Sequence, residues 1–164
     1  PLIVASFYLS WAKKERSLLA RLVAIAAACL VLPLAINVDI PHPWFAADAI
    51  APKGWYLCAL LTTYFATTVP FVKTVIRERN STPWFVGSIT VHVVVVLAMA
   101  ALAVQGYNYW THVLVWVLLT GRAIAMPLLA KRRGVPWRPR NIGMPEIGYS
   151  LLVFATLPYG LAFP

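Results

Sequence analysis

The chain has 164 residues, of which 61% are hydrophobic and 12% charged, and a mean hydropathy of +0.76. A water-soluble domain is nearer half apolar and a quarter charged, so this composition leaves too little polar surface to cover a globule in water and calls for lipid as solvent. The net charge of +9 is carried in short clusters between long apolar runs, which is the pattern of cytoplasmic loops and excludes the basic face of a soluble nucleic-acid-binding domain.

The chain opens inside an apolar run, residues 1–11, which is too short to cross a ~30 Å hydrocarbon core and is expected to be the end of a helix that starts upstream. The cluster Lys13, Lys14, Glu15 and Arg16 follows. A first complete helix is predicted over 17–36, then a polar, Pro-rich stretch over 37–54. Within that stretch, 41–50 has the aromatics and few charges of a segment lying on a membrane surface. The next helix is predicted over 55–76, and a tight basic turn at 77–83 leads to another over 84–104. An uncharged loop at 105–111, a helix over 112–130, a basic loop at 131–141 and a last helix over 142–163 complete the chain. The expected fold is therefore an all-α polytopic transmembrane bundle, one domain over 1–164, with five full spans and a partial N-terminal helix.

Alternate loops differ in charge. Lys13, Lys14, Arg16, Arg77, Arg79, Lys131, Arg132, Arg133, Arg138 and Arg140 share one side, and the loops of the other side hold Lys53 alone. The positive-inside rule puts the first set in the cytoplasm and the C-terminus outside. Trp55, Tyr56, Tyr107, Tyr109 and Trp110 fall at the outer helix ends, with Trp11, Trp84, Phe85 and Trp137 at the inner ones, at headgroup depth. Pro33, Pro70, Pro127, Pro145 and Pro158 fall inside predicted helices, where each removes a backbone donor and can kink its helix.

Ionisable groups within spans are expensive and mark function or pairing. Arg122 and Glu146 lie in consecutive antiparallel helices, ~13 Å and ~9 Å from the same end, so an ion pair between them is geometrically reasonable. Such a pair can fix helix register as well as serve chemistry. Arg21, Lys73, Arg77 and Arg140 lie toward the same end. With Arg122 and Glu146 they form a candidate inner-leaflet pocket for an anionic lipid headgroup or a pyrophosphate, although Arg21 and Lys73 are also placed to snorkel. His92 and His112 differ by ~15 Å in depth, which disfavours a haem held between them and leaves His92 hydrogen-bonded inside the bundle. Cys29 and Cys58 fall in apolar runs without a CxxC or a Cys/His cluster, so neither a disulfide nor a metal site is expected, and no cofactor is implied. No P-loop, GxGxxG, GxSxG or HExxH is present, and the sequon at Asn80 lies on the side expected to be cytoplasmic.

Three stretches carry a family resemblance. They are Lys13-Lys14-Glu15-Arg16-Ser17 with Arg21-Leu22-Val23-Ala24-Ile25, the run from Tyr64 through Pro70, Phe71 and Lys73 to Arg79, and the Arg122 helix followed by Arg140-Asn141-Ile142-Gly143-Met144-Pro145-Glu146. Together they resemble the YwiC-like bacterial membrane protein family, whose Arg-x-Ile-Gly-x-x-Glu ending the last one matches. That family's N-terminal His-Gly-Ala-Trp region has no counterpart here. The resemblance implies a bacterial multi-pass protein of the cytoplasmic membrane and assigns no reaction.

Three functions compete. An accessory or lipid-interacting bundle, with membrane lipids and other membrane subunits as partners, explains the short loops and the lack of motifs. An intramembrane lipid or prenyl transferase would need hard oxygen ligands for Mg²⁺ and a diphosphate, yet the only aspartates, Asp39 and Asp48, fall on the outer side. A small transporter would use the Pro-containing helices and the Arg122–Glu146 pair as gating elements.

Overall fold

The computed structural model describes residues 17–36 and 52–158, all helix and connecting turn with no strand among them. The elements are α1 (Leu18–Cys29), α2 (Val31–Ile36), α3 (Pro52–Ile76), α4 (Thr82–Val104), α5 (Trp110–Arg133) and α6 (Pro139–Thr156). Four helical stretches are long and apolar enough to cross a membrane: Leu18–Ala35, Pro52–Ile76, Thr82–Val104 and Trp110–Arg133. The last three, with 23 to 25 residues each, reach ~35 Å or more against a ~30 Å hydrocarbon core.

The helix expected over 17–36 is interrupted at Leu30, which separates α1 from α2. Pro33 is the cause: its ring meets the carbonyl of Cys29, four residues back, and it offers that carbonyl no N–H. The helix expected over 142–163 begins earlier, at Pro139, and stops at Thr156, so Pro158 lies beyond it. Leu157, just before that proline, is extended (φ −59°, ψ 144°), as the pre-proline clash with the α conformation requires. At 18 residues α6 is ~27 Å long, and with Arg140, Asn141, Glu146 and two prolines it is not among the four apolar helices. The expected loop at 131–141 shrinks to 134–138, because Lys131, Arg132 and Arg133 form the last turn of α5. There their charges complement the carbonyl end of the helix dipole. The partial helix at 1–11, the segment at 41–50, and Asp39, His42 and Asp48 lie outside the described residues.

The chain falls into two compact units that part at Val69 and Pro70, within α3. In the first, Ser17 caps α1 by accepting a hydrogen bond from the Ala20 N–H at 3.1 Å. Leu57, Leu60, Leu61 and Tyr64 are buried at the i, i+3, i+4, i+7 spacing of one helix face. Cys29 and Cys58 are buried free thiols.

In the second unit α4 packs on α5 and α5 on α6. The α4–α5 connection is a Schellman turn. Tyr107 N–H donates to the Leu102 carbonyl at 2.9 Å and Gly106 N–H to that of Ala103 at 3.1 Å, with Gly106 at φ 80°. Asn108 pins the turn from inside, donating to the Met99 carbonyl at 3.4 Å and accepting from the Tyr109 N–H at 2.9 Å. At the opposite end Gly134, at φ 65°, closes α5, and the Trp137 indole donates to the Met126 carbonyl at 2.8 Å. Thr74 ties α3 to the start of α4 by donating to the carbonyls of Pro70 (2.8 Å) and Trp84 (3.2 Å). Phe71, Val75, Ala123 and Ile142 form the apolar cluster at this end, with Val72, Met126 and Trp137 against it.

The helices of this unit wear their apolar side outward. On α4, Val86, Val93, Val94 and Leu97 are exposed while Ser88 and His92 are buried. On α5, Leu114, Val117 and Leu118 are exposed while His112 and Arg122 are buried. This distribution suits helices solvated by lipid, where polar side chains find partners only within the protein.

Candidate functional site

Arg122 is the deepest charge in the second unit. Its position on the buried stripe of α5, with Leu119 and Ala123, turns it into the bundle rather than toward solvent. Its Nη1 donates to Oε1 of Glu146 on α6, and the two form an ion pair in which 3% of the arginine side chain and 20% of the glutamate are exposed. The guanidinium lies 4.0 Å from the Phe71 ring centroid and 4.9 Å from that of Tyr149. A guanidinium close to two aromatic rings gains quadrupole attraction, and gains more where it is buried. The carboxylate and the two rings together offset the cost of a charge that, alone at the centre of a span, is ~2.5–3.5 kcal/mol on the insertion scale. Nε and Nη2 of Arg122 remain buried without a hydrogen-bond partner.

The other sequence-predicted residues of the second unit do not join this pair. Lys73 is half-buried, with Nζ 3.5 Å from the Trp84 ring centroid and 4.0 Å from Glu78. Arg77 and Arg140 are exposed, and Arg21, also exposed, belongs to the first unit. Within the second unit Arg122 and Glu146 therefore form an internal pair that Lys73, Arg77 and Arg140 do not join.

A different set of residues shapes the concave surface near the basic end. Two adjoining clefts, of about 320 and 350 Å³, share Arg79, Asn80, Pro127 and Lys131. The first continues along Thr74, Val75, Gly134, Val135 and Pro136, the second along Ser81, Thr82, Phe85 and Leu128. Two cations, an amide and three hydroxyl side chains thus border apolar walls, which is the chemistry of a phosphate headgroup with its first methylenes. Arg79 and Lys131 are separated by 52 positions in the sequence and meet because α3 and α5 both end on this side. The sequence marked both as loop cations, and no local signal sets them apart from their basic neighbours.

A polar relay lies toward the other end of α5. Trp116 Nε1 donates to Nε2 of His112 at 3.2 Å, so the ring proton of neutral His112 sits on Nδ1, which donates to Thr156 Oγ1 at 2.9 Å. The Thr156 hydroxyl then donates to the Leu152 carbonyl at 2.8 Å. His92 uses Nδ1 to reach the carbonyl of Ser88 at 2.8 Å, within its own helix. No group of three or more His, Cys, Asp or Glu residues with metal-binding geometry occurs among the described residues. Compared with protein-family models, curated proteins and solved structures, the chain matches none.

Proposed function

We propose that this protein is a lipid-interacting helical bundle of a bacterial cytoplasmic membrane whose basic end binds the headgroup of an anionic phospholipid. The observation that carries the reading is the pair of adjoining clefts sharing Arg79 and Lys131, open beside exposed apolar helix faces. A lipid seated there would place its phosphate against the two cations and its chains along α4 and α5. The charge asymmetry of the loops supports a cytoplasmic location for this end, with the C-terminus outside. In this reading α6 is a fifth span, and the resemblance to YwiC-like proteins supplies the bacterial setting. The short loops and the absence of a soluble-enzyme motif favour an accessory role beside other membrane subunits over catalysis.

The test is native mass spectrometry of the protein released from nanodiscs of phosphatidylglycerol and phosphatidylcholine. The expected result is selective retention of phosphatidylglycerol, lost in the double variant Arg79→Gln, Lys131→Gln and kept in Arg77→Gln, Arg140→Gln. Equal retention of both lipids by the unaltered protein overturns the reading.

A further inference from the structure

Among the described residues, the buried side-chain nitrogens and oxygens without a hydrogen-bond partner belong to three residues alone: Ser88 Oγ, His92 Nε2, and Nε and Nη2 of Arg122. These residues are 1, 0 and 6% exposed. They are not scattered. His92 and Trp116 meet edge-on, with ring centroids 6.5 Å apart, which fixes the register of the antiparallel α4–α5 pair. From that crossing Ser88 lies four residues toward the basic end on α4 and Arg122 six residues toward it on α5, so their heights differ by only ~3 Å. Buried polar groups in folded proteins are almost always paired, and a bound water or other small group is one explanation for those that are not.

From this arrangement we infer that Ser88, His92 and Arg122 line an intramembrane site for a small uncharged group that both accepts and donates hydrogen bonds, namely water or the hydroxyl of a lipid. The chemistry of the orphans selects that class. Arg122 Nε–H and Nη2–H only donate, so the occupant must accept. His92 Nδ1 must carry the ring proton, because its partner is a carbonyl, so in the neutral ring Nε2 only accepts and the occupant must also donate. A carbonyl fails at the histidine and an ammonium fails at the arginine. An anion is not called for, since Glu146 already offsets the guanidinium. Ser88 Oγ serves in either direction. The inference stands on different atoms from the headgroup clefts and does not depend on them.

The test follows deuterium exchange at the imidazole C2 position by mass spectrometry, with the protein in phosphatidylcholine nanodiscs, before and after exhaustive detergent washing. His112 is the internal reference, because both its nitrogens are engaged. If water occupies the site, His92 exchanges several-fold faster than His112 in both preparations. If a lipid hydroxyl occupies it, His92 is slow as isolated and accelerates several-fold once washed. Exchange at His92 as slow as at His112 in both preparations overturns the inference. Ser88→Ala gives a second reading: an occupant bound to Oγ makes the unfolding midpoint fall, by ~2–4 °C per kcal/mol lost, whereas a dry orphan makes it rise. A raised midpoint overturns the inference as well.

Discussion

Arg122 and Glu146, 24 residues apart on consecutive helices, form an ion pair with the guanidinium held over the Phe71 ring. The pair joins α5 to α6, and Phe71 extends the contact to the end of α3. One arginine thus takes its neutralising partner from one helix and its packing from another.

Glu146→Gln removes the negative charge while keeping the shape. The expected loss is about 2–3 kcal/mol, below the ~3–5 of a wholly buried pair because Glu146 is partly open. Replacing both partners with apolar residues, Arg122→Met with Glu146→Leu, should recover most of that loss. Unfolding in mixed micelles measures both. A double variant no more stable than Glu146→Gln would show that the pair does more than fix register.

Phe71 separates two contributions. Phe71→Leu keeps an apolar side chain but removes the π face under Arg122, with an expected cost of about 1 kcal/mol beyond the lost volume. Phe71→Ala also opens a cavity in the cluster with Val75, Ala123 and Ile142, and should cost about 3–5 kcal/mol. Equal midpoints for the two variants would contradict this division.

The two glycines Gly106 and Gly87 should respond oppositely to alanine. A Cβ meets nothing within 4 Å at either position, so only the backbone decides. Gly106 sits at φ 80°, and Gly106→Ala should cost about 1 kcal/mol. Gly87 lies within α4, and Gly87→Ala should stabilise by about 0.5–1 kcal/mol. Thermal unfolding of the two variants side by side checks the signs.

Trp116→Phe keeps the ring against His92 but removes the donor to His112. The unpaired Nε2 should cost about 1–3 kcal/mol. His112→Phe combined with Trp116→Phe should cost less than the two single changes added together, because one hydrogen bond is then counted once. Strict additivity would show that the bond contributes nothing.

The helices were legible in the sequence because hydropathy and charge punctuation are local. Among the described residues, the apolar runs beginning near Leu18, Pro52, Thr82 and Trp110 are long and apolar enough to cross a membrane. Two boundaries differed from the local pattern for a local reason, since Pro33 and Pro158 act on neighbours that hydropathy does not weigh. The Arg122–Glu146 pair could also be read in advance, because Glu146 is the one acid in the apolar runs and antiparallel connectivity matches the two depths. Helix rotation and the convergence of distant turns needed the tertiary structure. Whether His92 and Ser88 face α5 or lipid depends on how α4 is turned about its axis, and an almost evenly apolar helix gives no sequence signal for that angle. The meeting of Arg79 with Lys131 depends on the lengths of α4 and α5 and on the turn between them at once, which is why the cations expected to gather, Lys73, Arg77 and Arg140, stand apart while these two share a cleft.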